Sequence, residues 1–97
     1  MDIKLIKKEL NEIKNVLLHN TIMVECYLFG SILKEPKFAN DLDILIIYKN
    51  IDHVKYIKES FSSFSAIYPL HLIFFSYSEE KEFNFIKQQN AEIVFSL

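Results

Sequence analysis

The sequence predicts an α/β fold, in which helices flank a small mixed β-sheet. Three observations support this prediction. Amphipathic helical patterns alternate with short apolar segments along the 97 residues. The two most apolar segments carry apolar residues at both odd and even positions, as strands covered on both faces do. The length suits one small domain with a single core, so residues 1–97 are predicted to form one domain.

The first element is predicted to be an amphipathic helix. Its apolar stripe has alternating spacings of three and four residues and consists of Ile3, Ile6, Leu10, Ile13 and Leu17. Asp2 is suited to cap the start of this helix, and His19 and Asn20 to mark its end. Such a stripe in one short helix predicts packing against a core.

Four further segments read as strands. Residues 22–29 and 42–48 are apolar on both faces, apart from Glu25 in the first. Residues 69–77 form a third strand with Pro69 at its start, where a missing amide is tolerated. Residues 92–97 are predicted to be a short last strand.

Two more helices complete the predicted order. Asp52 is expected to cap a helix whose inner face carries Val54, Ile57, Phe61 and Phe64. Ser76 and Glu79 have the spacing of a capping box, which predicts a helix that carries Phe83 and Ile86.

Composition and charge narrow the classes of function. The chain is 51% hydrophobic and 25% charged, as folded globular proteins are. Its net charge of −2 provides no basic field, so a nucleic-acid partner is not indicated. The N-terminal segment lacks the apolar region of a signal peptide, and no apolar stretch reaches the roughly 18 residues of a membrane span. Cys26 is the only cysteine and lies in an apolar run. A cytoplasmic protein with no membrane contact and an inert core thiol is therefore expected.

The only glycine of the chain, Gly30, stands where the first predicted strand ends, and Ser31 follows it. A glycine here permits an unusual backbone conformation and lets a ligand approach the main chain. Ser31 offers a hydroxyl and an amide at the start of a helical turn, a position that favours phosphate. The same pair is also common at strand ends with no ligand, so both interpretations stay open at this point.

Two aspartates stand at the start of the second apolar strand. Asp41 and Asp43 flank Leu42, and side chains two apart on a strand point to the same face. Two carboxylates at the start of an apolar strand repel one another unless a cation neutralises them. Mg²⁺ binds to one or two carboxylates and completes its shell with water and substrate phosphates. The alternative is a solvated strand start with a simple turn at Asn40.

Together these pieces form FGSILKEPKFANDLDILI, in which nine residues separate Gly-Ser from Asp-x-Asp. This pattern resembles the signature of the DNA polymerase β-like nucleotidyltransferase superfamily. The chain is most similar to its minimal nucleotidyltransferases, single-domain proteins often paired with a HEPN-domain partner in toxin–antitoxin systems. The order of predicted elements is similar to the family core as well, so the resemblance covers most of the chain.

The resemblance implies a role for each motif residue. Gly30 and Ser31 would hold the β- and γ-phosphates of a nucleoside triphosphate. Asp41 and Asp43 would hold the Mg²⁺ that bridges those phosphates and neutralises the leaving pyrophosphate. The implied reaction transfers a nucleoside monophosphate, AMP in the antitoxin-like setting, to an acceptor hydroxyl such as a tyrosine of the partner toxin.

The sequence departs from the family in its third carboxylate. The family carries this acid within an apolar–acid–apolar triplet on the next core strand, where this chain has His71 between Leu70 and Leu72. Glu79 lies roughly 26 Å further along an extended chain and is not expected to substitute. His71 has three interpretations: a core or interface histidine without a chemical role, a general base near neutral pH, or a ligand for Mn²⁺ or Zn²⁺, which suit imidazole better than Mg²⁺ does.

Three functions follow from these observations. The chain is expected to be a nucleotidyltransferase, since the Gly-Ser and Asp-x-Asp motifs are intact. The first alternative is a module that binds Mg²⁺ and nucleotide without turnover, because the third acid is missing. The second is a partner-binding domain with a vestigial site. With 97 residues, the acceptor surface is expected to come from a partner chain or a second copy.

Overall fold

A four-stranded mixed sheet organises the protein, and the computed structural model describes all of its residues, 1–97. The strands are β1 (Val24–Phe29), β2 (Leu42–Tyr48), β3 (Leu70–Ser76) and β4 (Glu92–Ser96), and they lie in the order β3-β2-β1-β4. β1 runs antiparallel to both of its neighbours, β2 and β4, whereas β2 and β3 are parallel. The predicted small mixed sheet is confirmed.

Six α-helices and two 3₁₀ turns connect the strands. The helices are α1 (Ile3–His19), α2 (Ser31–Lys34), α3 (Val54–Ser60), α4 (Ser62–Ser65), α5 (Tyr77–Phe83) and α6 (Phe85–Gln88). The 3₁₀ turns span Pro36–Phe38 and Ile51–His53. The mixture of helices and strands confirms the α/β class. None of the helices has the length and apolarity needed to cross a membrane.

The first helix forms as its sequence predicts. The carboxylate of Asp2 accepts hydrogen bonds from the amides of Lys4 and Leu5, which otherwise have no partner within the helix. The buried side chains of its stripe are Ile6, Leu10, Ile13 and Leu17. The helix ends at His19, and packing of this stripe fixes it on one face of the sheet.

The prediction that Asp52 caps the next helix is wrong. Asn50 caps the 3₁₀ turn before that helix instead: its side-chain oxygen accepts a hydrogen bond of 2.9 Å from the amide of Asp52, whereas α3 itself has no side-chain cap. This cap opens the 3₁₀ turn at Ile51, and α3 follows from Val54. Asparagine and aspartate cap helices about equally well, so the local position of Asn50 decides which residue is used.

The predicted capping box is present, but the helix behind it is interrupted. The hydroxyl of Ser76 accepts from the amide of Glu79, whose carboxylate accepts from the amide of Ser76. Asn84 then adopts a left-handed conformation with φ 54° and separates α5 from α6. Asparagine tolerates this region better than most residues do. As a result Phe83 is 45% exposed, whereas Ile86 packs against the sheet.

Different helices pack against the two faces of the sheet. The main core lies under α1, α3 and α4 and contains alternate residues of β2, such as Ile44 and Ile46. The opposite face holds a smaller cluster of Phe29, Leu45 and Ile47 under α6. Residues two apart on a strand share a face, so the side chain of Asp43 lies on this second face, with Leu45 and Ile47. Asp43 is at the N-terminal end of β2, beyond the apolar cluster.

Candidate functional site

Gly30 links the end of β1 to the first residue of α2. Its backbone has φ 78° and ψ −151°, a region that is essentially restricted to glycine. The chain can therefore turn directly from Phe29 into Ser31, which is exposed at the start of α2. The helical turn that the sequence predicts to start at Ser31 is present and spans Ser31–Lys34.

Gly30 also makes room for a carboxylate. A Cβ atom at position 30 would overlap Oδ2 of Asp43 and would lie 3.3 Å from its Cγ. The antiparallel register of β1 and β2 pairs Phe29 with Asp43, which places the aspartate beside the glycine. Any other residue at position 30 would have to displace the Asp43 side chain.

Asp43 is held from its other side by His71. These residues are direct partners in the parallel register of β2 and β3. Nδ1 of His71 lies 3.1 Å from Oδ1 of Asp43, and 62% of the histidine side chain is exposed against 20% of the aspartate side chain. The interpretation of His71 as a core histidine is therefore wrong. An ionised carboxylate can only accept hydrogen bonds, so Nδ1 donates in this hydrogen bond, and Nε2 takes no part in it.

Asp41 occupies a different position from Asp43. It lies one residue before β2, is exposed, and forms no hydrogen bond or ion pair through its side chain. Leu42, between the two aspartates, is anchored to the neighbouring strand because its amide donates a 2.8 Å hydrogen bond to the carbonyl of Pro69. No group of three or more His, Cys, Asp and Glu side chains in the structure is placed to hold a metal ion. Asp43 and His71 therefore form a two-residue pair, with Asp41 beside it in sequence.

Glu79 lies at the far end of β3. Because β2 and β3 are parallel, Asp43 pairs with His71 at one end and Tyr48 pairs with Ser76 at the other. Hydrogen bonding to the amide of Ser76 lowers the pKa of the Glu79 carboxyl, and this carboxyl serves the capping box. Glu79 therefore lies away from Asp43, as the sequence predicts.

The other two histidines are separate from this site. Both stand at the ends of predicted elements, a position for which the sequence predicts exposure. His19 is exposed at the end of α1. His53 is instead half-buried, and its Nδ1 atom is enclosed without a hydrogen-bond partner, so the prediction is wrong for this residue.

A polar cluster that the sequence does not predict lies on the same sheet face as Asp43. The hydroxyl of Tyr27 donates to the carboxylate of Glu25. Oε1 of Glu80 accepts from the amide of Ile86, and its other oxygen is enclosed without a partner. Burial raises the pKa of Tyr27, and the hydrogen bond and charge of Glu25 raise it further. The sequence signal for this cluster is Glu25, the one charged residue in an otherwise apolar strand.

The site is an open surface at the end of the sheet. None of the three cavities in the structure is lined by Gly30, Asp43 or His71. One of them, a groove of about 520 Å³, lies between α1 and α4 and is lined in part by Leu5 and Val16. The pair lies outside these cavities, and His71 is the more exposed of its two residues.

Comparisons of the chain with protein-family models, with curated proteins and with solved structures find no significant match. The resemblance to nucleotidyltransferases therefore rests on residues 29–46 and on the order of elements, and the family remains a prediction. The structure itself shows that Asp43 packs against Gly30 and that it is hydrogen-bonded to His71.

Proposed function

We propose that this protein binds a nucleoside triphosphate together with a divalent cation where β1 ends and β2 begins, and transfers its nucleoside monophosphate to an acceptor hydroxyl. One observation carries the proposal. The only glycine of the chain adopts a backbone conformation restricted to glycine, and it leaves the space that a half-buried carboxylate fills. A seated carboxylate next to a strand-to-helix turn supplies the two parts that binding of metal and phosphate requires.

The donor set fits a hard divalent cation. Asp43 presents a carboxylate that is 20% exposed, and Asp41 adds an exposed carboxylate two residues earlier. Mg²⁺ is usually held by one or two carboxylates, with water and substrate phosphates in its other positions. A bound cation would neutralise negative charge on the phosphates and on the leaving pyrophosphate.

The residues of the chain itself would bind and orient the nucleotide. The turn at Gly30 would bring backbone amides to the phosphates, while the carboxylate of Asp43 fills the space of the missing side chain. Ser31 contributes an exposed hydroxyl at the first residue of α2. These contacts would hold the phosphates beside Asp43 and leave the α-phosphate open to attack by the acceptor hydroxyl.

The open form of the site favours a macromolecular acceptor. No cavity of this chain encloses Asp43, and His71 is 62% exposed at the same sheet end. The acceptor surface would then come from a protein partner, such as the HEPN-like toxin that the resemblance implies, or from a second copy of the chain. AMP is the group that would be transferred in that setting.

A second candidate is a module that binds nucleotide without transferring it. The observation that favours it is His71, which stands directly opposite Asp43 where the family has its third acid. Binding of metal and phosphates uses mainly Asp41 and Asp43, so it would survive the loss of the acid that activates the acceptor.

Triphosphates labelled at the α-phosphate distinguish the two candidates. The protein is incubated with labelled triphosphate, Mg²⁺ or Mn²⁺, and lysate that contains acceptors. An enzyme transfers label to a protein or nucleic acid, and the transfer is lost in Asp43→Asn but kept in Asp52→Asn, a matched exposed control. Retained triphosphate binding without any transfer identifies the binding module. Gain of transfer in His71→Asp then marks the histidine as the cause of the lost turnover.

A further inference from the structure

The distance between His71 and Asp43 suits two ligands of one metal ion. Donor atoms about 2.1 Å from an ion lie about 3.0 Å apart when they meet it at a right angle, and about 3.4 Å apart at the tetrahedral angle. Nδ1 of His71 and Oδ1 of Asp43 are 3.1 Å apart. An ion would replace the hydrogen-bonding proton between them, and rotation of the two side chains would let both atoms reach it with β2 and β3 in place.

The two donors are fixed by the fold rather than by flexible chain. Asp43 and His71 are paired in the register of adjacent strands, and Gly30 backs the carboxylate from the other side. The histidine ring is 62% exposed, so water can accept the proton from Nε2 in the tautomer that turns the Nδ1 lone pair toward an ion. A fixed pair of donors loses little freedom when it binds an ion.

We propose that Asp43 and His71 form a mixed oxygen–nitrogen pair that selects Mn²⁺ over Mg²⁺. The inference rests on the proposed function in placing the cation at Asp43, and it names the metal that this particular site takes. A histidine at the position of the third acid is then a change of metal preference rather than a simple loss.

The chemistry of the donors decides the preference. Mg²⁺ demands a near-ideal octahedron of oxygen ligands and keeps its waters, whereas first-row transition ions accept imidazole nitrogen more readily. Zn²⁺ sites normally use three or four protein ligands, and here no third His, Cys, Asp or Glu completes a cluster. Mn²⁺ accepts nitrogen from His71 and takes water or phosphate oxygens in its remaining positions.

Direct Mn²⁺ binding to the purified protein without nucleotide tests the inference. Electron paramagnetic resonance counts bound Mn²⁺, and its pulsed form detects coupling to an imidazole nitrogen. The wild type should show this coupling, and should bind Mn²⁺ more tightly than Mg²⁺ by on the order of tenfold, the effect of about 1.4 kcal/mol. His71→Ala should lose the coupling and the preference, with Mg²⁺ affinity unchanged. His71→Asp should turn the preference toward Mg²⁺.

The control is His19→Ala, which removes an exposed histidine at the end of α1 and should leave Mn²⁺ binding as in the wild type. The inference is overturned if the wild type binds no Mn²⁺, if no nitrogen coupling appears, or if His71→Ala keeps the same preference. The proposed function fails separately, when no triphosphate binds in the presence of either metal. Selective Mn²⁺ binding without triphosphate binding would leave the metal pair supported and the nucleotide site refuted.

Discussion

The carboxylate of Asp43 fills the space that a side chain at position 30 would occupy, so Gly30 and Asp43 are sterically coupled across two strands. This relationship explains why a chain with one glycine has it at the end of β1. The backbone of Gly30, with φ 78°, adds a second reason, since few other residues adopt it. The glycine therefore makes room for the Asp43 side chain and also permits the turn into α2.

Replacement of Gly30 by alanine should destabilise the protein, and removal of the Asp43 side chain should recover part of the loss. The strained backbone alone should cost about 1–3 kcal/mol in the free energy of unfolding. Overlap with Oδ2 of Asp43 adds to this cost in Gly30→Ala but is absent in Gly30→Ala/Asp43→Ala. Urea unfolding of the four proteins in the cycle should give a coupling energy of about 0.5–3 kcal/mol.

The matched control for this cycle pairs Gly30→Ala with Asp52→Ala, since Asp52 is an exposed aspartate of the turn before α3. That cycle should be additive within about 0.5 kcal/mol. Additivity of the Asp43 cycle as well would contradict the steric coupling, and Gly30 would then serve only the backbone turn.

The thiol of Cys26 should be unreactive in the folded protein. Its side chain is fully buried in the main core, and burial raises the pKa of the thiol. A thiol-specific reagent at pH 8 should therefore label Cys26 only as fast as the protein unfolds, and labelling in denaturant should be complete within seconds to minutes. Native labelling at the rate of a free thiol would show that the strand is not packed as described.

Stability should fall at alkaline pH, in part through Tyr27. Burial and the neighbouring Glu25 raise the pKa of Tyr27, so the folded protein holds this proton at a pH where the unfolded chain releases it. The contribution of Tyr27 is then fully present below about pH 10, the ordinary tyrosine value, and is lost as the pH rises through the folded-state pKa. Urea unfolding from pH 9 to 12 should show a shallower decline in Tyr27→Phe than in the wild type.

Cys26→Ala provides the background for that comparison, because the buried thiol also has a raised pKa and adds its own alkaline slope. An identical slope with and without the Tyr27 hydroxyl, measured in this background, would refute the assignment.

Where local chemistry dominates, the sequence is enough to predict the fold. The bounds of α1 and β2 and the capping box of Ser76 and Glu79 match the prediction, because an apolar period or a cap specifies each of them. The break at Asn84 and the cap at Asn50 were missed. In both cases an asparagine adopts a role that several nearby polar residues could fill, and tertiary packing selects among them.

The site is predictable in its residues but not in its contacts. Gly30, Asp43 and His71 can be named from their positions at strand ends. Their meeting depends on the register of β1 with β2 and of β2 with β3, which sequence spacing does not determine. In the structure Asp43 and His71 are each the second residue of a strand, and parallel neighbours that start together bring such residues side by side.

The most direct test of the central claim is calorimetry of nucleoside triphosphate binding, with Mn²⁺, with Mg²⁺ and with chelator. The account predicts binding that requires a divalent cation, is abolished in Asp43→Asn, is weakened or abolished in Asp41→Asn, and is unchanged in Asp52→Asn. Asparagine keeps the shape of the side chain that rests against Gly30, so loss of binding in Asp43→Asn reports the charge rather than the fold. Equal affinity in Asp43→Asn, or no binding by the wild type with either metal, would contradict the proposed site.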